Sequence, residues 1–206
     1  MGDVYVVLDD TQFKKKYFEN RNKIRFPNKE GWIWLNVPVK NKSNLPNMLD
    51  VELVDNTVKQ KHLNTIKTSY GKCPYFQEIF HELKEVYLSQ NDTHLVEINI
   101  RIIKYALQKF KINIPVLRVS EMKNEGAQIG GEGSDLVLSL VKAVEANTLV
   151  AGIFEQSNIE VLYQDFKHPV YNQHNGGFIP YMSFLDLLFN YGENAVGILP
   201  KSGYTI

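Results

Sequence analysis

The hydrophobic pattern of this chain changes period along its length. Residues 4–8 are a continuous apolar run, Val4-Tyr5-Val6-Val7-Leu8, closed by Asp9 and Asp10. A short run without alternation predicts a strand buried on both faces. Residues 32–39 alternate instead, with Ile33, Leu35, Val37 and Val39 on one face and Trp32, Trp34, Asn36 and Pro38 on the other. That period of two predicts a strand with one buried face, and Pro38, which cannot donate to a ladder, marks an edge strand or a strand end.

The period then lengthens to that of a helix. The first predicted helix runs from Thr57 toward Tyr70, before Gly71, and opens on Thr57-Val-Lys-Gln60, a capping-box spacing. A second starts at Pro74 and carries Phe76, Ile79, Phe80, Leu83, Val86 and Tyr87 at helical spacing. This aromatic stripe reads as core, not as a ligand box. A third, over residues 92–110, buries Leu95, Ile98, Ile102, Ala106 and Phe110. Strands at 112–119 and 149–154 enclose a helix at 134–146, and such a unit normally sets its strands parallel; residues 160–163 supply another strand. A last helix begins at Ser183, with its hydroxyl as cap and Asp186 near the positive end of the dipole.

Together these elements predict an α/β fold: three layers, a mostly parallel sheet flanked by helices, and a mainly helical middle section. With 206 residues, 44% of them apolar, the chain can bury one full core. The expectation is a single α/β domain over residues 1–206, with 57–110 as a helical sub-lobe.

Charge and cysteine content then narrow the partners. Lys plus Arg and Asp plus Glu both number 23, so no net field favours nucleic acid or an anionic membrane. Cys73 is the single cysteine, which excludes an internal disulfide and any zinc site built from several thiolates, and fits a reducing, cytoplasmic setting. No apolar run approaches the ~18 residues that span a bilayer, so no membrane insertion is expected. Val6 stands where a Met-Gly myristoylation motif needs Ser or Thr. No zinc motif and no nucleophile elbow are present, and the sequence leaves the cofactor unassigned.

Several clusters could carry chemistry. Asp9, Asp10 and Gln12 follow the carboxyl end of the first predicted strand, where open α/β sheets bind ligands. Carboxylates there could bind a sugar hydroxyl, join other oxygens around a hard cation, or accept a proton; a polar strand terminus accounts for them equally. Asn20-Arg21-Asn22 offers a guanidinium between two amides, suited to carboxylate or phosphate, or to a buried ion pair. Lys14-Lys-Lys16 reads as a solvated face or an anion contact. His62, His81 and His94 read as structural or solvated. The glycines between 126 and 133 lack P-loop spacing and its Lys, and read as a flexible connection.

The densest polar segment is Asp165-Phe-Lys-His168-Pro-Val-Tyr171-Asn-Gln173, followed by Gly176-Gly177 and then Phe178-Ile-Pro-Tyr-Met-Ser-Phe-Leu-Asp186-Leu-Leu-Phe-Asn190. His168 is the best acid or base, since imidazole as a side-chain type titrates near neutral pH; Pro169 helps fix its direction, and Tyr171 and Gln173 can hydrogen-bond a substrate. A structural turn, with His168 bonded to backbone, is the competing reading.

Leu8-Asp-Asp-Thr-Gln12-Phe-Lys, Asn20-Arg21-Asn22-Lys-Ile24, Trp34-Leu-Asn-Val-Pro38-Val-Lys40, His62, the Tyr70 to Phe76 stretch and the C-terminal run form a further pattern. Together these segments resemble the WbqC-like family, bacterial proteins associated with O-antigen and related glycan gene clusters. The resemblance implies a role in surface-polysaccharide or related metabolite biosynthesis. On it rests the expectation of a group-transfer enzyme using a small-molecule or nucleotide-sugar substrate, or alternatively a non-catalytic binding or assembly protein of a glycan-biosynthesis complex. The catalytic candidates are then His168, Asp9 and Asp10, and the substrate-binding ones Gln12, Asn20, Arg21, Tyr171 and Gln173. The family pattern also leads one to expect a His-Gln-Pro turn near the start and a Ser-Gly loop after the strand at 148–150. This sequence shows neither.

Overall fold

Helices supply most of the buried apolar side chains of the main core. The computed structural model describes residues 2–14, 17–40, 46–151, 160–165, 168–199 and 203–205. The chain divides into two units, Asp9–Asn113 with His168–Leu199, and Met1–Leu8 with Ile114–Lys167 and Pro200–Ile206.

In the larger unit, β2 (Arg21–Arg25) and β3 (Trp32–Asn36) pair antiparallel, with Lys23 opposite Trp34 and Arg25 opposite Trp32. The expected alternation is realised. Ile24 is fully buried, Ile33 and Leu35 pack on the core, and Val37 and Val39 continue the buried side. Arg21, Lys23, Trp32 and Trp34 therefore share the other face. β3 ends before Pro38, whose carbonyl accepts from Val54 N–H, so no donor is missed there.

Helix α1 (Thr57–Tyr70) has the predicted length but a different cap. Asp55 accepts from both the Thr57 N–H and the Thr57 hydroxyl, and these bonds hold its carboxyl below the usual range. Helix α2 (Phe76–Leu88) starts two residues after Pro74 because Tyr75 N–H turns aside to the Phe189 carbonyl, at 3.2 Å. Helix α3 (Leu95–Lys109) starts later than predicted, since Leu95 N–H bonds Val51 O at 2.9 Å and Asp92 is engaged in the preceding loop. Helices α6 (Phe184–Tyr191) and α7 (Ala195–Ile198) close this unit. Phe189 of α6 lies 4.8 Å from Tyr70 and 5.5 Å from Phe76 between ring centroids, tying α6 to the stripe read as core.

In the smaller unit, β1 (Tyr5–Val7) pairs parallel with β4 (Val116–Arg118). After β4 come α4 (Val119–Asn124) and α5 (Ser134–Ala143). Strand β5 (Thr148–Ala151) pairs parallel with β6 (Glu160–Asp165), which pairs antiparallel with β7 (Gly203–Thr205).

The architecture is thus mixed α/β with small parallel pairings. Among the described residues the strands form sheets of two, two and three strands in place of one mostly parallel sheet. The strands around α5 pair with β1 and β6, not with each other, because the chain leaves β4 directly into α4. Val119 and Met122 of that unforeseen helix are buried with Ile129 and Leu140. Strand β1 is half buried, not covered on both faces: Tyr5 and Leu8 are each 43% exposed. Residues 152–154 of the strand expected at 149–154 lie outside the described residues. No helix among those described is long and apolar enough to cross a membrane.

Candidate functional site

The outer edge of β2 is closed by two side elements. Lys23 O accepts from Ser183 N–H at 2.7 Å, and Arg25 N–H donates to the Tyr70 hydroxyl at 2.9 Å. The Arg25 side chain then anchors the loop that carries the polar segment. Asn175, Gly176 and Gly177 have φ of 71°, 72° and 41°, three left-handed residues in succession. The repeated handedness curls the backbone around one centre, and two glycines make it affordable in steric terms. Its carbonyls converge on the guanidinium: Nη2 donates to Asn175 O at 3.0 Å and Gly176 O at 2.6 Å, and Nη1 to Gly177 O at 2.7 Å. Nη1 also donates to Gln173 Oε1 at 2.6 Å. That oxygen accepts from Ile179 N–H at 2.8 Å, while Gln173 Nε2 donates to Ile179 O at 2.9 Å. Gln173 therefore pins the loop from inside.

Beneath this loop lies Asp186, fully buried in the first turn of α6. Its Oδ2 accepts from the Tyr171 hydroxyl at 2.9 Å, whereas Oδ1 is buried without a hydrogen-bond partner. Burial pushes its pKa above the ordinary value, against the lowering pull of Tyr171, Tyr70 and Arg25. Burial and the Asp186 charge push both phenols upward in turn. The Arg25 cation is turned to backbone carbonyls and Gln173, so among the described residues the acid has no direct ion pair. A carboxyl in such a setting gives up its proton less readily than an ordinary one.

His168 sits in a ring of aromatics, with centroids 5.4 Å from Phe178, 5.2 Å from Tyr181 and 6.3 Å from Tyr171. Its Nδ1 lies 2.9 Å from the Pro169 carbonyl. A carbonyl only accepts, so Nδ1 carries the hydrogen and the neutral ring keeps its basic lone pair on Nε2. Tyr181, which is 65% exposed, has a φ of 59°, so the outer wall of this ring uses a backbone conformation that non-glycine residues rarely adopt.

The structure thus gathers His168, Tyr171 and Gln173 with Asp186 from the end of the same segment, and adds Arg25 and Tyr70, which sequence reasoning did not place in a site. Asp186 had a signal: it is the one charge in Phe184-Leu-Asp-Leu-Leu-Phe189, an otherwise apolar stretch. Arg25 had none, because its partners lie some 150 residues away, with Gly176 separated from it by 151 positions.

The other candidates have different surroundings. Asp9 is fully buried, Asp10 Oδ1 accepts from Asn47 Nδ2 at 2.7 Å, and Gln12 bridges Asn47, lacing this segment to residues 46–48. Asn20 is buried and donates to Asn36 Oδ1 and the Val37 carbonyl, at 3.1 and 3.0 Å, which extends the hairpin. Arg21 lies over the Trp34 ring at 4.1 Å. His62 is buried: Nε2 faces the Asn36 carbonyl at 3.2 Å and so donates, and Nδ1 accepts from the Tyr87 hydroxyl at 2.9 Å. Burial lowers its pKa, which keeps it neutral and structural. Burial pushes the Cys73 thiol up to about 12, which makes it a poor nucleophile.

The glycine-rich stretch is an ordered turn. Gly126 N–H and Ala127 N–H bond the Lys123 and Met122 carbonyls, closing α4 in a Schellman arrangement, and Ser139 Oγ bonds both backbone groups of Gly130. Among the described residues no three His, Cys, Asp or Glu side chains come together as metal ligands.

The chain is 27% identical over 205 residues to a protein of Mycobacterium tuberculosis described as uncharacterized protein Rv1507c, an alignment covering 94% of this chain and 86% of that protein. No solved structure significantly matches the chain. The model of the WbqC-like protein family matches residues 1–198, nearly the whole length, and the chain belongs to that family.

Proposed function

We propose that this protein is a cytoplasmic group-transfer enzyme of surface-polysaccharide (O-antigen) or related metabolite biosynthesis, acting on a sugar or another activated small metabolite. The observation that carries the reading is the setting of His168. Its Nδ1–H is tied to Pro169 O, its ring is walled by aromatics, and the loop behind it is pinned by Arg25. In this reading Nε2 takes the proton from an attacking hydroxyl or amine and returns it to the departing group. Arg21 anchors an anionic part of the substrate, with Asp9, Asp10, Gln12 and Asn20 as further polar groups. Tyr171 and Gln173 act by holding the loop, since their polar atoms are engaged with Asp186, Ile179 and Arg25.

That same engagement favours the second reading, a non-catalytic binding or assembly protein of a glycan-biosynthesis complex. Thermal-shift screening against nucleotide sugars, acyl-CoA species and divalent cations identifies the ligand class, because a ligand of the native state alone raises its stability. With that ligand in an activity assay, His168→Gln should lose roughly a hundredfold or more in turnover while the ligand-induced shift persists. Turnover within about twofold of wild type would sink the acid–base role.

A further inference from the structure

The loop that Arg25 clamps contains a chemically labile pair. Asn175-Gly176 is the one place in the chain where glycine follows asparagine. There the Gly176 nitrogen can attack the Asn175 side-chain carbonyl carbon. An N–Cγ bond forms, the Cγ–Nδ2 bond breaks, and the amide nitrogen takes up the proton given by Gly176 and leaves as ammonia. Water then opens the cyclic imide at either carbonyl, giving aspartate or isoaspartate. Glycine makes the attack easiest, because no Cβ shields its nitrogen. Residues 175–177 are exposed, so base and water reach the pair.

The fold sets a condition on this chemistry. Ring closure requires the Asn175 side chain to swing onto the next nitrogen while the peptide between them turns, and both are held. Asn175 Nδ2 donates to the Ser69 carbonyl, in the last turn of α1, at 3.2 Å. The two carbonyls that flank the Gly176 nitrogen, those of Asn175 and Gly176, accept from Nη2 of Arg25 at 3.0 and 2.6 Å. Arg25 is only 3% exposed, so solvent does not compete for this grip. Neither amide nor peptide turns without breaking one of these bonds. The reaction therefore runs from the opened loop, at a rate that follows the fraction of molecules in which the clamp has let go.

We propose that Asn175-Gly176 is a deamidation site latched by Arg25, intact while the clamp is closed and converted when it opens. Both products lose the Nδ2 donor to Ser69. Isoaspartate also lengthens the main chain by a methylene, which displaces the Gly176 and Gly177 carbonyls from the guanidinium, and it leaves a free carboxylate where the Asn175 carbonyl stood. Each opening thus risks a lasting change in the loop that Gln173 pins. The proposal is independent of whether His168 acts on a substrate.

The experiment holds the full chain in warm, mildly alkaline buffer and follows conversion at residue 175 by peptide mapping, through the mass gained when NH2 becomes OH. Three samples are compared: folded wild type, wild type unfolded in urea, and folded Arg25→Lys. Wild type is expected to convert roughly tenfold or more slowly folded than unfolded, and Arg25→Lys roughly tenfold or more faster than folded wild type. No conversion at 175 in urea would overturn the site. Folded wild type converting as fast as the unfolded chain would overturn the latch, and that comparison needs no variant. Equal rates in folded Arg25→Lys and folded wild type would remove Arg25 as its cause. The isoaspartyl fraction, separated by charge, should exchange its amides faster over residues 173–179; exchange equal to that of fresh protein would overturn the consequence for the loop.

Discussion

Asp92 and Asp186 are both sealed from solvent in the larger unit, yet the first carboxyl is held below its usual range and the second above it. The contrast turns on where the neighbouring cations point. At Asp92 burial raises the pKa, but Arg101 and Lys59 outweigh it. Lys59 Nζ lies 2.6 Å from Oδ2, and Arg101 reaches both carboxylate oxygens. These three side chains link α1, α3 and the loop before α3. At Asp186 the nearby Arg25 donates to Asn175, Gly176, Gly177 and Gln173, leaving the acid two phenols and one unpaired oxygen. The same types of group build a lock in one place and, in the other, a buried acid whose pKa is raised.

The largest effect should come from breaking the lock. Asp92→Asn leaves the buried Lys59 ammonium without its counter-charge and is expected to cost about 3–5 kcal/mol, read as a lower urea midpoint with an unchanged slope. Because the Asp92 pKa is depressed by folding, its contribution is complete above the unfolded carboxylate value of about 3.9 and fades as pH falls through the lower folded value. The gap between wild type and variant should therefore narrow in acid.

Arg25→Lys tests whether the fork geometry of the clamp matters. An ammonium cannot reach four acceptors spread around a planar guanidinium, and a loss of about 2 kcal/mol is expected, with faster amide exchange in residues 173–179. Unchanged exchange there would show that the left-handed turn holds itself.

The smallest change in stability is expected at Asp186. Asn keeps an acceptor for Tyr171 and removes a group that resists ionisation, so Asp186→Asn should lie within about 1 kcal/mol of wild type at neutral pH. The sign of its pH dependence is opposite to that of Asp92. A folded pKa above the unfolded one contributes stability that is complete below about pH 3.9 and lost as pH rises through the raised folded value. The variant should gain on wild type over that rise. A cost at Asp186 equal to that at Asp92 would erase the distinction between the two centres.

Much of the helical and hairpin structure was legible in order. The stripe Phe76, Ile79, Leu83 and Tyr87 is buried as its spacing requires, and the alternation from Ile33 to Val39 faces the core. Helix starts were less legible: α1 is capped by Asp55, and α2 and α3 begin where a preceding N–H finds a distant carbonyl. Of the candidate site, His168, Tyr171 and Gln173 stood out because polar and aromatic residues crowd a short segment. Arg25 and Tyr70 did not, because one lies in a strand and the other ends a helix whose apolar spacing explains it without further role.

The sequence by itself determined which segments bury a face, since hydrophobic period and helix or strand geometry are local matters. It determined too the glycine pair that permits successive left-handed residues, because only the lack of a Cβ makes them inexpensive. The tertiary structure alone decided how strands pair and what each buried ion meets. Val116 to Arg118 could join any parallel partner, and it is β1 that lies beside it. Asp92 and Asp186 are one residue type, and nothing within a few positions of either foretells that long-range cations will neutralise the first and bypass the second. A side chain's ionisation follows from its burial and its counter-charges, and both are set by elements that meet only when the chain has folded.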